Sequence, residues 1–126
     1  MLSNNVPAWF EIPTANLDRA VKFYESVLGV KLVPDNFGPM RMAIFPHERK
    51  DATSTGCLIA ADGYTPSATG SVIYLNLSED LAKPLAKVEK AGGKVALGKT
   101  ALPDNIGYFA QFIDSEGNKV GFFSQH

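Results

Sequence analysis

Residues 9–29 read WFEIPTANLDRAVKFYESVLG and combine a short apolar strand with an amphipathic helix. Asn16 is a favourable N-cap residue, because its side chain can accept a hydrogen bond from a free amide of the first turn. Gly29 suits the left-handed residue that ends a helix. Pro13 ends the preceding strand, which is predicted over residues 6–12. The apolar residues that recur at helical spacing are Leu17, Ala20, Val21, Tyr24, Val27 and Leu28.

The same order of elements returns in the second half of the chain. After the helix, strands are predicted over residues 30–33, 40–45 and 56–60, with an exposed loop over 46–55. Residues 61–70 are rich in glycine, proline, serine and threonine and mark a boundary. A strand over 71–77, a helix over 80–91 and strands over 94–97, 108–113 and 119–124 follow. We interpret this order as a duplicated βαβββ unit, with modules 1–62 and 63–126 in one structural domain.

Composition limits the classes of partner. The chain has 126 residues, of which 45% are hydrophobic, and a formal net charge of −1. This balance predicts no nucleic-acid and no membrane partner. The N-terminus shows no export signal and no apolar run reaches the roughly 20 residues of a spanning helix, so a cytoplasmic protein is expected. Its single cysteine, Cys57, rules out an intramolecular disulfide and a cysteine-based zinc site.

Three stretches, in this order, carry a family resemblance. They are F-E-I-P-x-x-x-L-x-R-A-x-x-F-Y-x-x-V-L-G, GYTPSATGSVIYLNL and D-x-E-G-N-x-x-G-F-F. Together they resemble the vicinal oxygen chelate superfamily, the group of glyoxalase I, extradiol dioxygenases and bleomycin resistance proteins. The resemblance implies an α+β fold of two βαβββ modules, forming a curled eight-stranded mixed sheet around a cup for a small molecule. It also implies a homodimer, often with modules of both chains lining each cup.

The resemblance further implies where a divalent metal would be held, on the first and last strands of each module. In this sequence those positions fall at Trp9, at Leu58 or Ala60, at Val72 or Ile73, and at Gly121. None of these side chains is a metal ligand of the usual kind. We therefore expect no family metal and no cofactor.

A rebuilt metal site is the alternative. Glu11, Tyr74 and Asn76 offer a carboxylate, a phenol and an amide, which together could hold a weakly bound ion with water ligands. His47 and His126 are interpreted as solvated surface residues instead.

Strand alternation predicts the lining of the cup. Residues 9 and 11 share one face of their strand, and residues 74 and 76 share another. Trp9 would supply an apolar wall, Phe123 shares the face of Gly121, and Tyr74 and Asn76 complete a small-molecule pocket. Glu11 is the catalytic candidate, as a general acid or base, or as the partner of a cationic ligand. In the competing interpretation Glu11 faces solvent or an interface, and Tyr74 and Asn76 serve cross-strand packing.

These observations predict a glyoxalase-like or bleomycin-resistance-like protein that binds a small organic molecule in a cup between its modules, without the family metal. Whether the ligand is only held or also converted stays open. The competing class is a metal-dependent lyase, isomerase or dioxygenase with a displaced site. A module that holds a peptide or a partner protein is a third possibility.

Overall fold

The computed structural model describes residues 1–3, 6–47 and 54–126. In the first half the elements are β1 (Trp9–Pro13), α1 (Leu17–Leu28), β2 (Val33–Phe37), β3 (Met40–Ile44) and β4 (Thr55–Ala60). In the second half they are β5 (Ile73–Asn76), α2 (Ala82–Leu85), β6 (Lys94–Ala101), β7 (Tyr108–Ile113) and β8 (Lys119–Ser124), with a short 3₁₀ turn at Pro103–Asn105. Both halves therefore run strand, helix and three strands.

Hydrogen bonding groups the eight strands into two four-stranded mixed sheets. Their strand orders are β1-β4-β3-β2 and β5-β8-β7-β6, and in each sheet the first strand pairs in parallel with the last. This arrangement confirms the predicted α+β fold of two βαβββ modules, although the strands form two four-stranded sheets and not the single curled eight-stranded sheet that was expected. The division between residues 62 and 63 stays a prediction; β4 ends at Ala60 and β5 begins at Ile73.

One hydrogen bond occurs in both modules and aligns their residues. The Thr14 amide donates to the Ile59 carbonyl at 2.8 Å, and the Leu77 amide donates to the Phe123 carbonyl at the same distance. Each bond joins the residue just after the first strand to the last strand. Glu11 in the first module consequently corresponds to Tyr74 in the second, and Cys57 corresponds to Gly121.

Helix α1 begins and ends where the sequence predicts. The Asn16 side chain accepts a hydrogen bond from the Arg19 amide, and Gly29 closes the helix with a φ of 68°. The buried residues of α1 are Leu17, Ala20, Phe23, Tyr24 and Val27. Phe23 was absent from the predicted apolar face. It is buried because α1 also packs against the second module, where the ring of Phe23 lies 6.0 Å from the ring of Phe112.

The second helix is much shorter than predicted. Residues 80–91 were expected to be helical, but only Ala82–Leu85 is α-helix, and turns continue to Gly92. Pro84 has no amide hydrogen to donate and is tolerated only in the first turn of a helix, so the helix begins just before it, at Ala82. Downstream, the amides of Lys87 and Val88 donate to carbonyls three residues back, which is the tighter 3₁₀ pattern.

Several strand limits also differ from the prediction. β1 starts at Trp9 rather than at residue 6, because pairing with β4 begins at Trp9 and Thr55. Residues 34–37 were predicted as a turn but belong to β2. Pro34 is tolerated there because β2 is the outermost strand of its sheet. Of the predicted loop over 46–55, residues 48–53 lie outside the described residues, whereas Thr55 is buried in β4.

The two modules share one core and are fastened together by the turn between β7 and β8. The Tyr24 hydroxyl donates to a buried Asp114 oxygen at 2.7 Å. The Asn118 side-chain amide donates to the Pro13 carbonyl at 2.8 Å. Glu116 accepts from the Asn16 amide at 2.8 Å and from the Arg19 guanidinium at 2.8 Å. The same turn therefore holds the end of β1 and the start of α1.

Within the described ranges, the structure contains no helix with the length and apolar character needed to cross a membrane.

Candidate functional site

Each sheet has one face on the core and one open face. In the first sheet Ile12, Ala43 and Leu58 face the core and α1. Because side chains alternate along a strand, their neighbours lie on the opposite, open face. We call this the first open face; it carries Trp9, Glu11, Met42, Ile44, Cys57 and Ile59. The second open face is its counterpart on the other sheet and carries Tyr74, Asn76, Phe109, Gln111, Gly121 and Phe123.

Glu11 is the polar centre of the first open face. Its Oε2 lies 3.4 Å from the indole Nε1 of Trp9, which donates to it. Tyr64, in the connection between the modules, has its hydroxyl near the same carboxylate. Its interaction with the Glu11 carboxylate and the negative charge of that group raise the pKa of Tyr64, so its hydroxyl stays protonated at neutral pH. Both Glu11 and Trp9 are exposed, Trp9 to 43%.

Cys57 lies directly beside Glu11 on the neighbouring strand of the first open face. The two residues are direct partners across the parallel β1–β4 pair, and Cys57 is fully buried. Burial, and then the negative charge of Glu11, raise the pKa of this thiol to about 12. Cys57 is consequently a neutral thiol at physiological pH, and a neutral thiol is a poor nucleophile.

The second open face is built around Tyr74. Its ring lies directly over Gly121, where a Cβ atom would overlap it. The Tyr74 hydroxyl accepts a hydrogen bond from the Gln111 side chain at 2.7 Å, and the ring meets Phe109 edge-to-face at 6.1 Å between centroids. These contacts fix an aromatic ring with a polar tip, although 42% of Tyr74 remains exposed.

The remaining predicted site residues fall on the same two faces. Asn76 and Phe123 are direct partners across the β5–β8 pair. Trp9 and Glu11 are brought together by their hydrogen bond. Among the described residues, no hydrogen bond or ion pair joins Glu11 to Tyr74 or Asn76, so a single cavity lined by all of them stays a prediction.

The alignment of the modules corrects one metal position inferred from the sequence. Leu58 and Ala60 were considered for the last strand of the first module, but Leu58 is fully buried in the core beneath α1 and Ala60 packs against the same core. The residue that corresponds to Gly121 is Cys57. The four positions are therefore Trp9, Cys57, Val72 and Gly121.

These four residues do not suit a divalent ion. Their side chains are an indole, a protonated thiol, an isopropyl group and a single hydrogen. None of them is a carboxylate or an imidazole. In the described ranges, no three His, Cys, Asp or Glu side chains are grouped so that they could hold a metal. His47 and His126 are both exposed, as the sequence predicted.

Three residues that belong to these faces or contact them were not identified as site residues from the sequence. Tyr64 lies in a connection rich in glycine and proline, where no periodicity shows which way a side chain points. Cys57 lies in the apolar run TGCLIA, whose two faces cannot be told apart by composition. Gln111 could have been found, since it is the one polar residue of YFAQFI.

Comparison with known proteins agrees with this architecture. The sequence model of the Glyoxalase/Bleomycin resistance protein/Dioxygenase superfamily matches residues 7–122, and the chain belongs to that superfamily. A glyoxylase-like domain-containing protein from Didymella fabae is 28% identical over 113 residues, which are 86% of this chain and 84% of the relative. A lactoylglutathione lyase from Oryza sativa subsp. japonica is 31% identical over 115 residues. That match covers 83% of this chain but only 39% of the rice protein.

Solved structures show the same fold. A glyoxalase/bleomycin resistance protein from Albidiferax ferrireducens superposes with a TM-score of 0.70 at 16% identity, covering 95% of this chain and 98% of the other. A glyoxalase I variant from Zea mays superposes with a TM-score of 0.67 at 23% identity, covering 94% of this chain and 45% of the maize chain. This chain thus spans about half the length of the maize protein.

Proposed function

We propose that this protein binds a small organic molecule in a cup lined by its two open faces, without the metal of its enzymatic relatives. The observation that carries the proposal is the Trp9–Glu11–Tyr64 cluster. It places the Glu11 carboxylate beside two aromatic groups, two residues along β1 from Trp9, the position where the resemblance puts a metal ligand. Aromatic walls with a few placed polar groups are typical of small-molecule pockets.

The duplicated fold supports a cup with contributions from both modules. Glu11 and Tyr74 occupy corresponding positions, and each is held by a neighbour, Trp9 in one case and Gln111 in the other. A ligand between the two faces would therefore meet a polar group from each module. Phe123 and Asn76 would extend the part of the cup that the second open face lines.

We further propose that the protein is a homodimer. Large apolar side chains are exposed at the sheet margins, including Val33 at 54%, Phe37 at 70% and Ile106 at 55%. Phe37 lies on an edge strand, a position from which sheets readily associate. A second copy would cover this surface.

Glu11 is the proposed chemical centre. As a carboxylate it can accept a proton or orient a polar hydrogen of the ligand, while Tyr64 can donate one. The free buried thiol of Cys57 suits the reducing cytoplasm, which we propose as the location.

The screen that tests this function uses protein treated with EDTA. Compounds from a metabolite library are expected to raise its melting temperature and to change the emission of Trp9, the single tryptophan. Trp9→Phe should weaken the thermal response to such compounds, whereas Lys90→Gln, at an exposed position of the second module, should not. If no compound in the library stabilises the protein or alters Trp9 emission, the proposal is wrong.

A metal-dependent lyase with a displaced site is the second candidate, favoured by the likeness to the rice lactoylglutathione lyase. Elemental analysis of protein purified without added metal separates the two candidates. Our proposal predicts far less than one zinc, nickel, iron or manganese ion per chain. A stoichiometric ion that survives purification would establish the second candidate instead.

A further inference from the structure

The charges of the first open face limit what kind of molecule can bind there. Strands β1 to β4 contain two acidic residues, Glu11 and Asp35, and one basic residue, Arg41. Register places Asp35 on the same face as Glu11, because Asp35 pairs with Met42 and Met42 pairs with Ile59. Both carboxylates therefore belong to the open face.

Arg41 faces the other way. It pairs with Ala60, which packs against the core, and its guanidinium lies 3.5 Å from Asp18 on α1. The first open face consequently carries two negative charges and no basic side chain from its own strands. Among the described residues, Glu11 makes no ion pair.

The groups around Glu11 suit a cation. Trp9 donates its indole hydrogen to this carboxylate at 3.4 Å, and the Tyr64 hydroxyl interacts with the same negative charge, so an indole and a phenol stand beside it. A positive group attracts both a carboxylate and the faces of aromatic rings, and tryptophan is the strongest aromatic partner. An anionic ligand would instead meet the Glu11 carboxylate with no compensating basic side chain from strands β1 to β4.

We propose that the ligand of the cup is an organic cation, an amine or a quaternary ammonium compound, whose charged group lies against Glu11, Trp9 and Tyr64. This inference deepens the proposed function and depends on it. The uncharged part of the ligand then extends toward the apolar side chains of the same face, Ile44 and Met42.

A pair of probes matched in shape but not in charge tests the inference directly. Choline and 3,3-dimethyl-1-butanol have nearly the same shape, but only choline carries a charge. Trp9 emission reports binding of either probe, since Trp9 is the only tryptophan. Choline is expected to change the emission saturably, and the alcohol should bind at least roughly fivefold more weakly.

Three variants divide the contributions of the carboxylate and the ring. Glu11→Gln should weaken choline binding roughly tenfold, whereas Glu89→Gln removes the same charge from an exposed position on the other module and should change nothing. Tyr64→Phe keeps the ring and should retain affinity, while Tyr64→Leu should lose it. Circular dichroism confirms that each variant is folded.

Several results would contradict the proposal that the ligand is an organic cation. One is equal binding of choline and the alcohol, or no saturable response to choline. Another is a Glu11→Gln variant that binds choline unchanged, or that alters only the sedimentation of the protein, which would assign Glu11 to a subunit contact. If neutral or anionic library compounds nevertheless bind the EDTA-treated protein through Trp9, the proposed function stands and only the cationic class fails.

Discussion

At Gly121 a missing side chain decides the position of an aromatic ring. The ring of Tyr74 occupies the space that a Cβ atom would need, and that placement lets its hydroxyl reach Gln111. The resemblance puts a metal-binding glutamate at this position. The glycine thus removes a ligand and admits a phenol at the same time, and this exchange favours a pocket for an organic molecule over a metal centre.

Gly121→Ala should displace the Tyr74 ring and lower the free energy of unfolding by about 1–3 kcal/mol, the usual cost of overfilling a packed site. The backbone at Gly121 is not left-handed, so overlap rather than strain is the cause. Urea unfolding gives the change. Gly98→Ala is the matched control, because nothing lies within 4 Å of a Cβ atom there, and its stability should change by less than about 1 kcal/mol.

Equal stability of the Gly121→Ala and Gly98→Ala variants would show that Tyr74 is free to move and is not held over Gly121. The sequence alone predicted that Trp9 and Glu11 share a face and that Tyr74 and Asn76 share another, because alternation is a local property of strands. It could not place Tyr64 beside Glu11, since that contact depends on how the connection between the modules folds back.

The turn between β7 and β8 makes several of the hydrogen bonds that join the two modules. Glu116 in this turn accepts hydrogen bonds from two backbone amides at the start of α1, Ala15 at 3.0 Å and Asn16 at 2.8 Å. Burial of its carboxyl group disfavours the charge, but hydrogen bonds from Arg19, Asn16 and Ser115 outweigh that cost and lower the pKa of Glu116 to about 2.

The lowered pKa of Glu116 predicts a pH dependence of stability. In the unfolded chain this group titrates near 4.5, so its contribution is complete above that pH and is lost as the pH falls toward 2. Glu116→Gln should cost about 2 kcal/mol of unfolding free energy at pH 7, as expected for hydrogen bonds to a charged group. The difference from the natural protein should shrink below pH 4.5.

Chemical denaturation at pH 7, 5 and 3.5 measures this effect, with Glu89→Gln as a control whose difference should stay near zero. A difference between the natural protein and Glu116→Gln that is as large at pH 3.5 as at pH 7 would contradict the assigned role.

The sequence predicted α1 to the residue because a cap, an apolar face and a terminal glycine all agree over residues 16–29. It also placed β7 and β8 correctly, since both are bounded by clear turn residues. It overestimated the length of α2. The apolar spacing over 80–91 suggested one continuous helix, but Pro84 and the packing of the segment against the core interrupt it. Leu81 and Val88 are both fully buried, so the packing of these side chains into the core, and not helical periodicity, determines the conformation of the segment.

At the scale of the whole molecule, the two modules are joined by α1 and by the β7–β8 turn, while hydrogen bonding leaves each sheet as a separate unit. Each sheet has two edge strands, and β2 and β6 are the ones farthest from the parallel strand pair. These strands expose Val33 and Phe37 in the first sheet and Leu97 in the second.

This exposed surface predicts a homodimer in solution. Sedimentation equilibrium should give twice the chain mass of 13.6 kDa at micromolar concentration. Phe37→Glu should shift the equilibrium toward the monomer if β2 forms part of the contact, and Lys90→Glu, a charge change on an exposed residue of the second module, serves as the control. A natural protein that sediments as a monomer at micromolar concentration would refute the dimer.

An organic ligand is expected to bind the open faces without a metal. The most direct measurement is a titration of EDTA-treated protein with the most stabilising library compound, followed by Trp9 emission, before and after one equivalent of zinc or nickel is restored. We predict the same dissociation constant in both cases, within about twofold, because the residues at the four metal positions supply no suitable ligand. Binding that appears only after the ion is restored would contradict the account.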